Sequence, residues 1–373
     1  MMTNPIQSPD AAVRETTLSS AAVWPRLRRL FFGSTANTIV TLAGLALLGM
    51  TVPPLFRWAV LNATCTLPAS ACLSLDGACW TYVVDKWRFV LFGFYPPAEQ
   101  WRPTACILAF IAMIAISAFP KNWSLRLVCA WVVYFGAAAV LLRGGVLGLA
   151  SVETDKWSGL PLTLLLAVMG IVAAYPFGIV LALGRRSRMP VIRALSAVYI
   201  EVMRGIPLIC LLFMSSVVFP LFLPKGIVVN KLLRAQAAIV MSSAAYLAEV
   251  IRGGLQAIDR GQYEAADAIG LSYFRKMRLV ILPQALKIVI PPTVNTFISM
   301  LKDTSLVIVI ALYDLIKTTQ TTLADPTWMS FSTEAYLFAA AIYFPFCFFM
   351  SRYSRFLEHR LGRRTTVEPR EVA

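Results

Sequence analysis

Asn295, Ser299 and Asp303 recur at i, i+4 and i+8 inside an otherwise apolar segment, with Thr304 and Ser305 directly after them. That spacing puts the first three on one helix face. Polar groups in such a segment are costly unless they find partners or line a path through it. Tyr246 and Glu249 add a hydroxyl and a carboxylate on another apolar segment, near Arg252. The chemistry on offer is hydrogen bonding and ion pairing, not covalent catalysis. The single histidine, His359, has no nucleophile or metal partner nearby in sequence, no GxxxxGK[ST] phosphate loop occurs, and the seven cysteines show neither CxxC nor metal-ligand spacing. The plainer alternative is structural pairing, of Lys302 with Asp303 and of Glu249 with Arg252 or Arg204.

A second set lies in the long polar run RGGLQAIDRGQYEAADAIGLSYFRKMRLVILPQAL, from Arg252 onward. Gln262 to Ile269 are good helix formers, and Gly270 is placed to end that helix, because glycine accepts the left-handed conformation common just past a helix end. Ser272 is then expected to cap a second short helix through its hydroxyl. Phe274, Met277 and Ile281 give that helix a narrow apolar stripe. The resulting elbow presents Glu264 and the small pair Ala265 and Ala266 where a partner's backbone can come close. Leu282 precedes Pro283, which marks the entry to the next apolar segment and is tolerated in a first helical turn. The alternative is a solvated amphipathic hairpin with no partner.

The elements that must position these residues belong in a bilayer. Of the 373 residues, 58% are hydrophobic and 14% charged, against about 45–50% and about 25% in soluble domains. Each membrane helix needs about 20 mostly apolar residues. Eight segments qualify: Thr35 to Pro53, Thr104 to Phe119, Leu125 to Leu142, Leu160 to Leu183, Ile206 to Leu223, Leu233 to Ile251, Ala285 to Leu301 and Tyr336 to Met350. Leu306 to Ile316 is too short to span and reads as re-entrant or interfacial. The fold class is therefore an all-α integral membrane protein. Basic loops stay cytoplasmic, and Lys121, Arg126, the group from Arg185 to Arg204, the polar run and the tail from Arg352 onward fall on one side. Both termini then face the cytoplasm. The net charge of +15 is explained by this topology, which leaves no role for nucleic acid. The polar stretch before Ile39 lacks the layout of a cleaved signal peptide.

The chain divides near Ser151 to Lys156. Residues 1–34 form a tail and 35–155 a three-span extension. Residues 156–361 form a five-span core carrying the polar run at 252–284, and 362–373 a second, disordered tail. In the extension, an outside loop from Arg57 to Arg102 carries Cys65, Cys72 and Cys79, which permit one disulfide and leave one thiol over. Its stretch WTYVVDKWRFVLFGFY is amphipathic, and Trp80, Trp87, Phe89, Phe92, Tyr95 and Trp101 suit the headgroup level. This loop is expected to lie on the membrane surface.

EAADAIGLSYFRKMRLVILPQA resembles the EAA loop of the permease subunits of bacterial ABC importers, in which EAA, three residues, Gly, nine residues, Ile, one residue and Leu-Pro follow in order. Glu264, Ala265, Ala266, Gly270, Leu282 and Pro283 match, with Val280 in place of Ile. SGLPLTLLLA, EVMRGIPL, AYLAEVIRGG and PPTVNTFISMLKDTSL are similar to the polar amino-acid branch of that family, although Ile206 replaces the usual Thr of RGTPL and Leu211 a frequent Gln. GACW, LFGFYP and WRP resemble the longer subunit of general L-amino-acid importers. The resemblance implies a type I permease core whose six matching elbow residues couple to a separate ATPase that binds ATP, so the chain needs no cofactor of its own. It further implies partners: a second permease as a heterodimer, two ATPase subunits and a periplasmic amino-acid-binding protein, all set in membrane lipid. Asn295, Ser299, Asp303, Thr304, Ser305, Tyr246 and Glu249 would line the path, supplying donors and acceptors to a zwitterion. A stand-alone ion-coupled carrier is the rival reading, with Glu249 and Asp303 as coupling groups. An enzyme lacks a motif, and a bare scaffold leaves the EAA spacing unexplained.

Overall fold

The computed structural model describes Arg28 and residues 31–146, 148–224 and 226–362. Their regular structure is helical apart from two isolated β-bridges, as expected where backbone groups must satisfy one another inside hydrocarbon. Most of the tails assigned to 1–34 and 362–373, and the side chain of His359, fall outside the described residues. The chain parts into two compact units at Cys79–Trp80.

The first unit holds α1 (Thr35–Phe56), which starts where Ser34 Oγ accepts from the Asn37 N–H at 3.1 Å. None of its residues is buried. With the π turn that follows, it is long and apolar enough to cross a membrane. Beyond it Cys72 and Cys79 form a disulfide, and Cys65 is the thiol left over.

The second unit comprises α2 (Thr81–Phe92), α3 (Trp101–Ser117), α4 (Leu125–Arg143), α5 (Leu160–Arg185), α6 (Pro190–Gly205), α7 (Leu208–Phe213), α8 (Lys231–Gln256), α9 (Arg260–Ala268), α10 (Tyr273–Lys276), α11 (Leu282–Ile288), α12 (Ile290–Asp303), α13 (Leu315–Thr322) and α14 (Ser332–Gly362). Its centre is the seam between α5 and α8. Leu162, Leu166, Gly170, Ala174, Gly178 and Ala182, each four residues after the last, are all buried on α5. α8 answers with Ala235, Ile239, Ala244, Leu247, Ala248 and Ile251. A Cβ added at Gly178 would lie 2.9 Å from Leu247 Cβ, and one at Gly170 would lie 3.1 Å from Ile239 Cγ2. Helices in lipid gain no hydrophobic drive to associate, so close backbone approach through small residues supplies the attraction.

Three expectations change. The fifth span is a broken one: α6 and the helical stretch Leu208–Phe222 meet at 100°, because Pro207 has no N–H to continue α6 and disfavours helical geometry at Ile206. Leu306 to Ile316 is not a separate re-entrant piece. A 3-10 stretch, Thr304–Ile310, prolongs α12, and the two together make one candidate span. Finally, the amphipathic part of the outside loop is not simply laid on the membrane surface. It is α2, and it docks on α13: Tyr82 and Thr322 hydroxyls are 2.5 Å apart, and Thr318 Oγ1 donates to Val90 O at 2.7 Å. Phe92 and Tyr95 are buried, while Trp87 and Trp101 stay exposed. The second unit therefore begins at Trp80 and takes in α2, α3 and α4 together with the core, upstream of the division expected near Ser151.

Replacing Gly178 with Leu is expected to push α5 off α8 and to lower the unfolding midpoint of the purified chain, at a cost of about 1–3 kcal/mol. Gly136→Leu on α4, where an added Cβ meets nothing within 4 Å, should leave the midpoint unchanged.

Candidate functional site

The elbow is built by a helix stop and a strap. α9 starts at Asp259, whose Oδ1 accepts from the Gly261 N–H at 2.7 Å. It stops at Ile269, after which Gly270 takes φ +72°. The Leu271 N–H reaches back to Ala266 O at 3.1 Å and the Gly270 N–H to Asp267 O at 2.9 Å, the paired bonds of a Schellman stop. A Cβ at Gly270 would meet nothing within 4 Å, so only the backbone conformation demands glycine there. Across this turn Lys276 Nζ donates to both carboxylate oxygens of Asp267, at 2.6 and 2.8 Å. Lys276 is buried, and its partner Asp267 was not among the residues singled out by motif. The signal was available, since an acid and a base bracket the glycine.

The expected side chains divide into outward and inward groups. Glu264 and Ala265 are exposed, but Ala266 is 2% exposed and turned into the chain. Ala266 therefore does not join Ala265 at the surface. Ser272 precedes α10 as expected, but its hydroxyl makes no capping bond; the carbonyl of Ser272 accepts from the Lys276 N–H at 2.8 Å instead. Of the apolar stripe, Met277 and Ile281 are buried and Phe274 is 70% exposed. The Leu282 N–H bonds to Met277 O across a π turn, Met277–Ile281. Pro283 follows in the first turn of α11, where its missing N–H leaves no gap.

A clamp joins the elbow to the bundle. Arg186, at the end of α5, donates through Nη1 to Leu255 O at 2.6 Å and to the Tyr263 hydroxyl at 3.1 Å. Its guanidinium also lies over the Tyr263 ring at 5.7 Å. Tyr263 itself donates to Leu255 O at 3.1 Å, so one carbonyl of α8 gathers α5 and α9. Gln284 Nε2 reaches Gln262 Oε1 at 3.1 Å. A Cβ at Gly254 on α8 would come within 2.8 Å of Ala285 O. Met277, Ile281 and Ala285 pack there with Ala182, Ile200, Ala248 and Ile251.

The polar residues of the spans form two separate groups. Glu249 sits among three guanidiniums: Arg185 at 3.3 Å, Arg204 at 3.9 Å and Arg252, which grips it through two nitrogens. Arg185 also holds Glu201 at 2.7 Å. Tyr246 donates to Arg204 O at 3.4 Å, and Arg204 lies over its ring at 5.8 Å. Glu249 and Tyr246 are thus members of a charge cluster near the elbow end of α8. Asn295 and Ser299 are exposed on α12 and Asp303 is half-buried. Among the described residues none of these three has a hydrogen-bond or ion-pair partner, and the pairing of Asp303 with Lys302 is not observed. Thr304 is 1% exposed and donates to Leu301 O at 2.8 Å, so it faces the core and leaves the lining set. Ser305 is half-buried.

Residues 174–363, which contain both groups and the elbow, match the family of binding-protein-dependent transport system inner membrane components. The chain is 45% identical to the inner membrane amino-acid ABC transporter permease protein YhdY of Escherichia coli K12, over 93% of this chain and 95% of that one. It is 34% identical to the glutamate/glutamine/aspartate/asparagine transport system permease protein BztC of Rhodobacter capsulatus, over 94% and 96%. A crystallised amino acid ABC transporter with histidines is 34% identical, over 54% of this chain and 92% of that one, with a TM-score of 0.48. By a match that covers the elbow and by relatedness along nearly the whole chain, the protein is a member of the binding-protein-dependent transport system inner membrane component family.

Proposed function

We propose that the chain is the permease subunit of an ATP-driven amino-acid importer in the inner membrane, with both termini and the elbow in the cytoplasm. The sequence holds no GxxxxGK[ST] phosphate loop, and the motor in this reading is a pair of partner ATPase subunits. A second, related permease completes the path, and a periplasmic amino-acid-binding protein delivers the solute. The observation that carries this reading is the elbow, whose exposed Glu264 and Ala265 stand beside a glycine stop. It is fastened at its back by Arg186, Tyr263 and Leu255 to the ends of α5 and α8. A partner that grips Glu264 and moves would carry both helices with it.

On the path side, the unpartnered groups of Asn295, Ser299 and Asp303 supply donors and acceptors to an ammonium and a carboxylate at membrane depth. Ser305 follows two residues after Asp303, at the start of the 3-10 stretch. Tyr246 and Glu249 act at the elbow end, where the charge cluster ties α5, α6 and α8 together. Leu282 and Pro283 set the angle at which the chain re-enters the bilayer.

Gly270→Val and Glu264→Lys are expected to insert normally and to leave ATP hydrolysis running without uptake. The glycine change works through the left-handed backbone, which costs other residues roughly 1–2 kcal/mol. Wild-type uptake by both variants in reconstituted vesicles, or concentrative uptake by the chain alone without nucleotide, would sink the reading.

The Asp267–Lys276 strap should behave as a pair. Asp267→Lys and Lys276→Asp are each expected to lower uptake per ATP hydrolysed, and the double exchange to recover much of the loss. The coupling energy should be on the order of 1 kcal/mol, because Asp267 stays largely in contact with water. A double exchange no better than the single variants would remove the pair from the coupling route.

A further inference from the structure

A groove of about 540 Å³ opens between α2 and α3. It lies at the Leu160 end of α5, opposite the Arg186 end that holds the elbow. Its walls are apolar, with Leu91, Ile107 and Leu108 among them, and Trp87 and Trp101 stand on its rim, 43% and 53% exposed. Indole rings at the mouth of an apolar groove, where a span begins, mark the headgroup level of a bilayer.

Arg88 lies at that rim and has no acidic partner among the described residues. Its Nε donates to Gln100 Oε1 at 3.0 Å and its Nη2 to Pro97 O at 3.4 Å, both neutral acceptors. The neighbouring carboxylates are engaged elsewhere. Asp85 and Asp325 pair with Lys86 at 3.1 and 3.4 Å, and Glu99 pairs with the buried Arg102 at 2.7 Å. Gln100 is itself 7% exposed and held through Nε2 by Tyr95 O at 3.3 Å. The guanidinium is therefore fixed in direction, is not paired with a carboxylate among the described residues and has Nη1 uncommitted. A planar fork of this kind matches the oxygens of a phosphate.

We propose that the groove holds one anionic phospholipid from the leaflet opposite the elbow, its phosphodiester on Arg88 and an acyl chain along Leu91, Ile107 and Leu108. A free phosphate would satisfy the arginine but leave the apolar wall bare, whereas a lipid satisfies both. The inference rests on the chain spanning a bilayer and is independent of the elbow's role.

Native mass spectrometry of the assembled transporter in detergent, titrated with phosphatidylglycerol, tests it. The wild type should retain one phosphatidylglycerol in preference to phosphatidylcholine. Arg88→Gln should weaken retention on the order of tenfold, the loss of one charge-assisted contact, and Arg88→Lys should fall between. Leu108→Gln, on an exposed wall position, should weaken retention with the charge intact. It also keeps the test open if Arg88→Gln lowers the unfolding midpoint. Undiminished retention by Arg88→Gln and Leu108→Gln, equal retention of phosphatidylcholine, or displacement by millimolar inorganic phosphate would overturn the proposal. So would lipid bound by the isolated chain but absent from the assembled complex, which would mean that a partner subunit covers the groove.

Discussion

Two helix backbones lie close only where side chains leave room, and α5 and α8 meet that condition along the repeat from Leu162 to Ala182. The elbow and the α13–α2 pair are both mounted on this seam. At one end Gly159 donates its N–H to Tyr313 O at 2.8 Å and Thr163 Oγ1 accepts from Leu315 N at 3.0 Å, which seats α13 and, through it, α2. At the other end Arg186 and Leu255, one from each helix, hold Tyr263 of α9. A close-packed pair has little freedom to absorb a displacement at one end, because interiors at this density transmit strain instead of dissipating it. Force applied to α9 therefore reaches the far side of the bundle.

Electrostatics reinforce the same mounting. Glu249 faces Arg185, Arg204 and Arg252, and these come from the end of α5, the end of α6 and the last turns of α8. One carboxylate thus cancels part of the repulsion among three cations that the fold brings together. Removing a single partner from such a cluster costs more than the pair is worth in water, since the remaining charges are left uncompensated in a partly desolvated place. The α12 face shows the opposite design. Among the described residues the side chains of Asn295, Ser299 and Asp303 make no hydrogen bond or ion pair, and a polar face left open in an apolar span is available to a solute or to a neighbouring subunit.

Where local chemistry decides, the sequence could be read. Gly270 announced the end of α9 because few residues tolerate a positive φ, and Pro283 announced a helix start. The apolar segments foretold where the spans lie but not all their ends, Ile290–Ile310 standing against Ala285 to Leu301 and Ser332–Glu358 against Tyr336 to Met350, and α6 and α7 are the exception, since a bend at Ile206–Pro207 depends on where each half finds a surface to pack on. Long-range pairings were not legible. The docking of α2 on α13 rests on Tyr82 and Thr318 meeting residues some 240 and 228 positions away, and nothing in the amphipathic pattern of α2 distinguishes a membrane surface from a protein one. Ala266 was misplaced for a related reason: a motif says which residues recur together, not which of them face inward. Arg186 lay in a basic run that topology alone explained, which hid its specific role.

The far end of the α12 face shows how a short-range rule can set the limit of a long-range element. After Asp303 the chain carries Val307, Ile308, Val309 and Ile310, a β-branched run that loses side-chain freedom in an α-helix. It winds instead as a 3-10 stretch, Thr304–Ile310, longer than the usual three or four residues. Ala311 then adopts φ +54°, the single non-glycine residue with positive φ among those described. That conformation disfavours L-residues, and it is held from several sides. The Ala311 N–H bonds to Ile308 O at 2.9 Å, the Leu312 N–H to Val307 O at 3.2 Å, and Lys231 Nζ donates to Ala311 O at 3.2 Å. Lys231 is the first residue of α8, so the seam helix itself fixes the point at which the polar face stops and the chain turns toward α13. The end of this polar face is thus set by side-chain branching in one segment and by a cation delivered from another.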